Sequence, residues 1–301
     1  NLVDYQGDLM SYSVETSPNI GSDGKADVDN GRYTVAVSSL TYSTTYTWRV
    51  SVTDGAHWTN LTYKFTTEPY PLWWNSNWQY RKTVRIDHTK VYGDSENFPV
   101  LVDITDNSLA GGARPDGGDI VFTDSGGTKL EHELEFYDGS VGRLVAWVRV
   151  PVLSSTPPDT KLFLYYGNPA AENQQSPSAV WDTNYVMVQH LDETSGIHYD
   201  STANDNDGTP YNGVAQGAVA KINGGDTFDG VDDYIEVQHS DSITGFTTAF
   251  TASFWIKLNS VTKRQAILHK YDTTSNQRGW FIEYENRASY GTVLGFFASG
   301  D

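Results

Sequence analysis

The sequence predicts an all-β chain of tandem β-sandwiches with almost no helix, and three observations predict it. Apolar and polar residues alternate with period two in segment after segment. The chain carries 19 Tyr, 12 Phe and 9 Trp, residue types that favour strands, and 27 Gly to supply turns. No long run of helix formers interrupts this pattern. The 301 residues leave room for two domains at about 150 residues each, or three sandwiches at about 100.

Composition narrows the chemistry. Cysteine is absent, which removes disulfides, thiolate metal sites and a cysteine nucleophile together. A formal net charge of −18 disfavours nucleic acid, whose phosphates call for clustered Lys and Arg. The same charge suits solubility and divalent cations. No stretch reaches the roughly 20 apolar residues that cross a bilayer, and the residues from Asn1 do not form a basic-then-apolar signal. Any signal or anchor is therefore expected outside this sequence.

The first unit spans 1–68. In YTWRVSVTD, Tyr46, Trp48, Val50 and Val52 share one face, while Thr47, Arg49, Ser51 and Thr53 share the other. After the turn residues Asp54-Gly55, the alternation Leu61, Tyr63, Phe65 predicts a strand pairing back. Asn60-Leu61-Thr62 is a glycosylation sequon, with Asn60 the acceptor. Leu40-Thr41-Tyr42-Ser43-Thr44-Thr45-Tyr46 resembles the tyrosine corner of fibronectin type III domains, with Tyr42 where that family often has proline. The resemblance implies that the Tyr46 hydroxyl ties to nearby backbone, a structural role. A whole domain of that kind needs roughly 90 to 100 residues, so the unit is expected to lack its first strand or two. Truncation and completion by a neighbouring chain's strand both remain open. Glu68-Pro69-Tyr70-Pro71 predicts a short stiff connector.

The second unit spans 73–170. Val84/Ile86, Val100/Val102/Ile104, Leu144/Ala146/Val148/Val150 and Leu162/Leu164/Tyr166 alternate as half-buried strands. The phrases WWNSNWQYRKTVRID, ENFPVLVDI, DGGDIVFTD, LEHELEFYD, GRLVAWVRVP and TKLFLYYGNP resemble, in order, a domain-of-unknown-function family (DUF2341-like) recurrent in long archaeal and bacterial surface proteins. That resemblance implies a β-rich fold and an exported context, with no agreed activity.

The third unit spans 179–301. HLDETSG, DSTANDNDG, FDGVDDY and FTASFWIK resemble, in this order, the front part of the laminin-G/concanavalin A-like jelly roll, and the unit is expected to be incomplete at its C-terminal end. The resemblance implies a structural Ca²⁺. Hard oxygens converging from flexible loops are what calcium binds, and the candidates are Asp200, Asn204 and Asp207 with Asp229, Asp232 and Asp233. The competing reading is that these Asp, Asn and Gly residues simply make turns.

Other chemistry is sparse. Asp116, Asp119, Asp124, His132, Glu133 and Glu135 form a second acidic group, in which alternation puts Glu133 and Glu135 on one strand face. Paired carboxylates serve glycosidases, but the reading adopted is an exposed, solvated face. His190, His198, His239 and His269 lack metal spacing and read as surface or packing residues. No G-x-S-x-G, H-E-x-x-H or phosphate-binding glycine loop occurs, so no catalytic residue is assigned. Trp255, Trp280, Tyr284 and Tyr290 are candidate glycan platforms, set against packing roles. The function expected is a non-enzymatic extracellular structural or adhesive component of a prokaryotic cell surface, partnered by copies of itself or other surface proteins. The alternative is a carbohydrate-binding accessory region of a secreted polysaccharide-degrading enzyme.

Overall fold

The computed structural model describes residues 1–68, 73–244, 249–272, 277–287 and 291–298. The chain is all-β, 44% strand and 4% helix, and the only α-helix among the described residues is the single turn Pro177–Val180 (α1). Most of the connector, Pro69-Tyr70-Pro71, lies outside the described residues. The chain divides into two compact units, Asn1–Trp74 with Ser125–Gly127, and Asn75–Asp124 with Thr128–Asp301.

The first unit is one antiparallel sheet of β1 (Met10–Ser17), β2 (Asp23–Val28), β3 (Thr45–Thr53) and β4 (Trp58–Thr66), ordered β2-β1-β3-β4. Register pairs Val50 with Leu61, Trp48 with Tyr63 and Tyr46 with Phe65, so the predicted apolar faces of the two strands coincide. Leu2, Tyr12 and Val14 form a small core with Val28, Tyr33, Val50 and Val52 packed on it. That core covers only part of the face: Trp48 is 38%, Leu61 51%, Tyr63 48% and Phe65 39% exposed. Tyr46 is buried, and its hydroxyl accepts the Thr41 N–H at 2.9 Å, the backbone tie expected of it.

The second unit contains a sandwich of two sheets. One is ordered β6-β10-β9, from Ser95–Thr105 (β6), Arg143–Leu153 (β10) and His132–Asp138 (β9). The other is ordered β5-β11-β7-β8, from Tyr80–Ile86 (β5), Thr160–Tyr166 (β11), Val121–Asp124 (β7) and Lys129–Leu130 (β8). Alternation decides what lies between them. Leu144, Ala146, Val148 and Val150 of β10 meet Leu162, Leu164 and Tyr166 of β11 in one core, with Phe122 and Ile120. The opposite face of β6-β10-β9 is covered as well, by chain that follows it: Arg149 donates to the Ala179 carbonyl at 3.1 Å and Arg143 to that of Ile222 at 2.7 Å. This second cover decides the fate of Glu133 and Glu135.

Beyond α1, β12 (Gly208–Tyr211) pairs with β15 (Tyr234–Val237), and β13 (Ala215–Val219) with β14 (Gly224–Thr227). β16 (Gln265–Asp272), β17 (Gln277–Arg287) and β18 (Gly291–Ala298) form a further antiparallel sheet. Among the described residues these are separate small sheets rather than one closed roll. FTASFWIK, which alternates like a strand, forms none, and Trp255 within it is 70% exposed beneath the Lys221 ammonium. Alternation supplies a strand's two faces, but a strand also needs a partner for its backbone groups.

Candidate functional site

The densest polar centre of the second unit grows from the alternation of β9. His132 points into the core, edge-on to Phe122 at 5.5 Å. Glu133 and Glu135 therefore face the other way, where β10 presents Trp147 opposite Glu133. The Trp147 indole N–H donates to Glu135 Oε2 at 2.8 Å, and the Trp181 indole N–H to Glu133 Oε2 at 3.0 Å. The Ser201 hydroxyl donates to Glu133 Oε1. His190 lies between the carboxylates, Nε2 3.2 Å from Glu133 Oε1 and Nδ1 3.2 Å from Glu135 Oε2. Its ring stacks on Trp147 with centroids 6.0 Å apart.

The side chains of His190, Glu133 and Glu135 are 11%, 9% and 3% exposed. The solvated face expected for the two glutamates is thus corrected: residues after α1 lie over it. Of the surface and packing roles expected for His190, the structure shows a packed position, buried against Trp147 and between the two carboxylates. Burial pulls its affinity for protons down, but the paired carboxylates outweigh that and push its pKa up to about 10. Burial also acts to raise Glu133, yet the His190 charge with the Ser201 and Trp181 hydrogen bonds leaves it below the usual carboxylate range. His190 Nε2 makes no aligned hydrogen bond, so its attraction to Glu133 is mainly one of charge.

A second centre of the same kind lies further along. His198 is fully buried, its Nδ1 2.8 Å from Glu193 Oε2 and its Nε2 2.9 Å from Asp226 Oδ2. Desolvation raises the pKa of Asp226, and Glu193 adds to the rise. Nothing in the sequence marks this trio, because the three residues share no motif and meet only through folding.

The acidic loop and the acidic turn behave differently. Asp200 Oδ1 accepts the N–H groups of Val188 and Thr202 at 2.8 and 3.0 Å, and Oδ2 accepts the Thr202 hydroxyl and the Asn206 N–H at 2.8 and 2.9 Å. Asp207 Oδ1 accepts the Asp200 N–H, and Asn204 donates to the Tyr185 and Val186 carbonyls. These three residues organise a loop. Asp229, Asp232 and Asp233 instead bring carboxylate oxygens within 4.8 Å of one another. Within the same turn the Asp229 N–H donates to Asp233 Oδ2 and the Val231 N–H to Asp229 Oδ1, and a carboxylate oxygen that accepts one N–H keeps a lone pair of the kind a hard cation such as Ca²⁺ binds. Asp87, His88 and Asp159 form another group within that distance, with His88 Nδ1 already 2.7 Å from Asp159 Oδ1.

Of the aromatic candidates, Tyr284 is buried with its hydroxyl donating to the Val261 carbonyl at 3.2 Å, so it presents no ring face. Trp280 is half-buried against Phe250 at 4.7 Å. Tyr290 lies outside the described residues. Sequence reasoning passed over Tyr211 and Tyr234, an exposed cross-strand pair stacked at 5.0 Å. Asn60 is exposed on β4, its side-chain oxygen accepting the Ser51 hydroxyl at 2.6 Å.

Residues 116–207 match the family described as Domain of unknown function (DUF2341), and the chain contains that domain. The match takes in Glu133, Glu135, Trp147, Trp181, His190 and Ser201, spanning β7 to β11 of the sandwich and the first part of its outer cover. No curated protein and no solved structure matches the chain.

Proposed function

We propose that the chain is a non-enzymatic structural segment of a multidomain protein exported to a prokaryotic cell surface, where its β-sandwich modules assemble with copies of themselves or with other surface proteins. The observation that carries this reading is the apolar sheet face of the first unit, where Trp48 of β3 and Leu61, Tyr63 and Phe65 of the edge strand β4 remain half-exposed, all nine residues of β4 being exposed. An apolar patch that includes a strand edge left open among the described residues suits protein association. The non-enzymatic part is supported by the fate of the paired carboxylates. Glu133 and Glu135 direct their oxygens to His190, Trp147, Trp181 and Ser201. The acidic turn at Asp229, Asp232 and Asp233 would take a structural Ca²⁺ that stiffens the β14–β15 connection.

Sedimentation velocity over a range of protein concentrations tests the assembly reading, with Tyr63→Lys as the comparison. Concentration-dependent association that the lysine abolishes supports it. A chain that stays monomeric at every concentration overturns it.

Carbohydrate binding is the second reading, favoured by the exposed Tyr211–Tyr234 pair beside the acidic turn, where the Asn212 side chain donates to the Asp232 carbonyl at 2.8 Å. Selective retention of the chain on immobilised polysaccharide, lost in Tyr234→Ala, would favour it over assembly.

A further inference from the structure

We infer that a charge latch centred on His190 holds the chain after α1 against the outer face of the β6-β10-β9 sheet, and that the cover stays closed only while the His190 ring carries its proton. The geometry comes first. Two carboxylates of one strand, Glu133 and Glu135, project from the sheet, and the imidazole reaching between them belongs to the cover. Ionised carboxylates buried under indole rings need a cation, because desolvation strands any charge left alone. Among the described residues, His190 is the titratable base within ion-pairing distance of both.

The groups facing His190 from each packed element are few. From β9 come Glu133 and Glu135, from β10 the Trp147 ring, and from the cover itself Trp181 and Asp192. Asp192 is partly buried and its pKa is raised by burial first and by Glu193 next, with His190 opposing. The second centre extends the fastening: His198 lies between Glu193 of the cover and Asp226 of β14. The β13–β14 hairpin is thereby tied to the same segment, and Arg143 ties its turn to the sheet through the Ile222 carbonyl.

The sign of the pH dependence follows. A protonated imidazole stabilises the closed cover fully below the ordinary histidine value of about 6.5, and the contribution is lost as pH rises through about 10. Above that point Glu133 and Glu135 face a neutral ring, and hydrating them requires the cover to lift.

Limited proteolysis of the full chain with an alkali-tolerant protease tests the latch, with rates normalised to the unfolded chain at each pH. Cleavage within residues 181–226 is expected to be slow at neutral pH and to rise as pH passes about 10. His190→Gln should be cleaved there at least about tenfold faster at pH 7, because removing one partner of a buried pair strands the other. Glu133→Gln combined with Glu135→Gln should show no alkaline rise. Should the single variant fail to fold, the imidazole resonances of the unaltered chain decide. Titration of His190 close to 6.5, or identical cleavage of the unaltered and His190→Gln chains, overturns the proposal.

Discussion

The Oδ2 atom of Asp119 accepts the backbone N–H of Gly167 at 2.7 Å. The same oxygen takes the Asn168 N–H at 2.8 Å, and Oδ1 takes the Arg114 N–H at 2.8 Å. Asp119 is fully buried, and its carbonyl accepts the Trp78 indole at 2.6 Å. One residue thus joins the loop before β7, the end of β11 and the entry to the sandwich. Gly167 adopts φ +89, and a Cβ there would come within 2.5 Å of the Tyr80 ring, so the position is shaped for glycine.

Replacing Asp119 by Ala orphans two buried N–H groups, of Gly167 and Asn168, and the partly buried one of Arg114, each costing about 1 kcal/mol or more. A loss of about 3 kcal/mol is expected, seen as a lower midpoint in denaturant with the slope unchanged. An unaltered midpoint would remove Asp119 from this role.

Asp106 and Lys82 set an acid limit on the sandwich. The Lys82 ammonium, 2.5 Å from Asp106 Oδ2, together with the Ser108 N–H and hydroxyl, holds the Asp106 pKa down to about 2. A carboxylate depressed on folding stabilises above its unfolded value of about 4 and loses that contribution as pH falls through the folded value. Asp106→Asn should therefore flatten the decline in unfolding midpoint between about pH 4 and pH 2. An equally steep decline in the variant would count against the pair.

Calcium should distinguish the acidic turn from the acidic loop. Titration followed by calorimetry is expected to show weak binding that Asp229→Asn or Asp233→Asn abolishes. Asp200→Asn should lower stability while leaving the affinity unchanged, since Asp200 Oδ1 and Oδ2 each already accept two protein donors. Affinity lost on changing Asp200 would mean that the loop and the turn close on one ion.

Much of the framework was legible. Which residues share a face of β3, β4 and β10 follows from alternation, and so does the core that β10 builds, whereas β11, expected to be half-buried, is buried on both faces, with Phe163 and Tyr165 covered as well as Leu162 and Leu164. The turn role considered for Asp233 is visible in its hydrogen bond from the Asp229 N–H. Asp119 was not legible as a linchpin: it was read with Asp116 and Asp124 as part of an exposed, solvated acidic group, and only the fold buries it completely against three backbone N–H groups. His198, Glu193 and Asp226 meet without any spacing rule.

By itself the sequence determined the all-β class and which residues share a strand face, because period-two alternation is a local property of extended backbone. Whether a face meets water or a second layer depends on chain elsewhere, and only the tertiary structure decided that. The segment carrying Trp181 and His190 turns the polar face of β9 into a buried ionic centre. In the first unit, an equally legible apolar face remains half open.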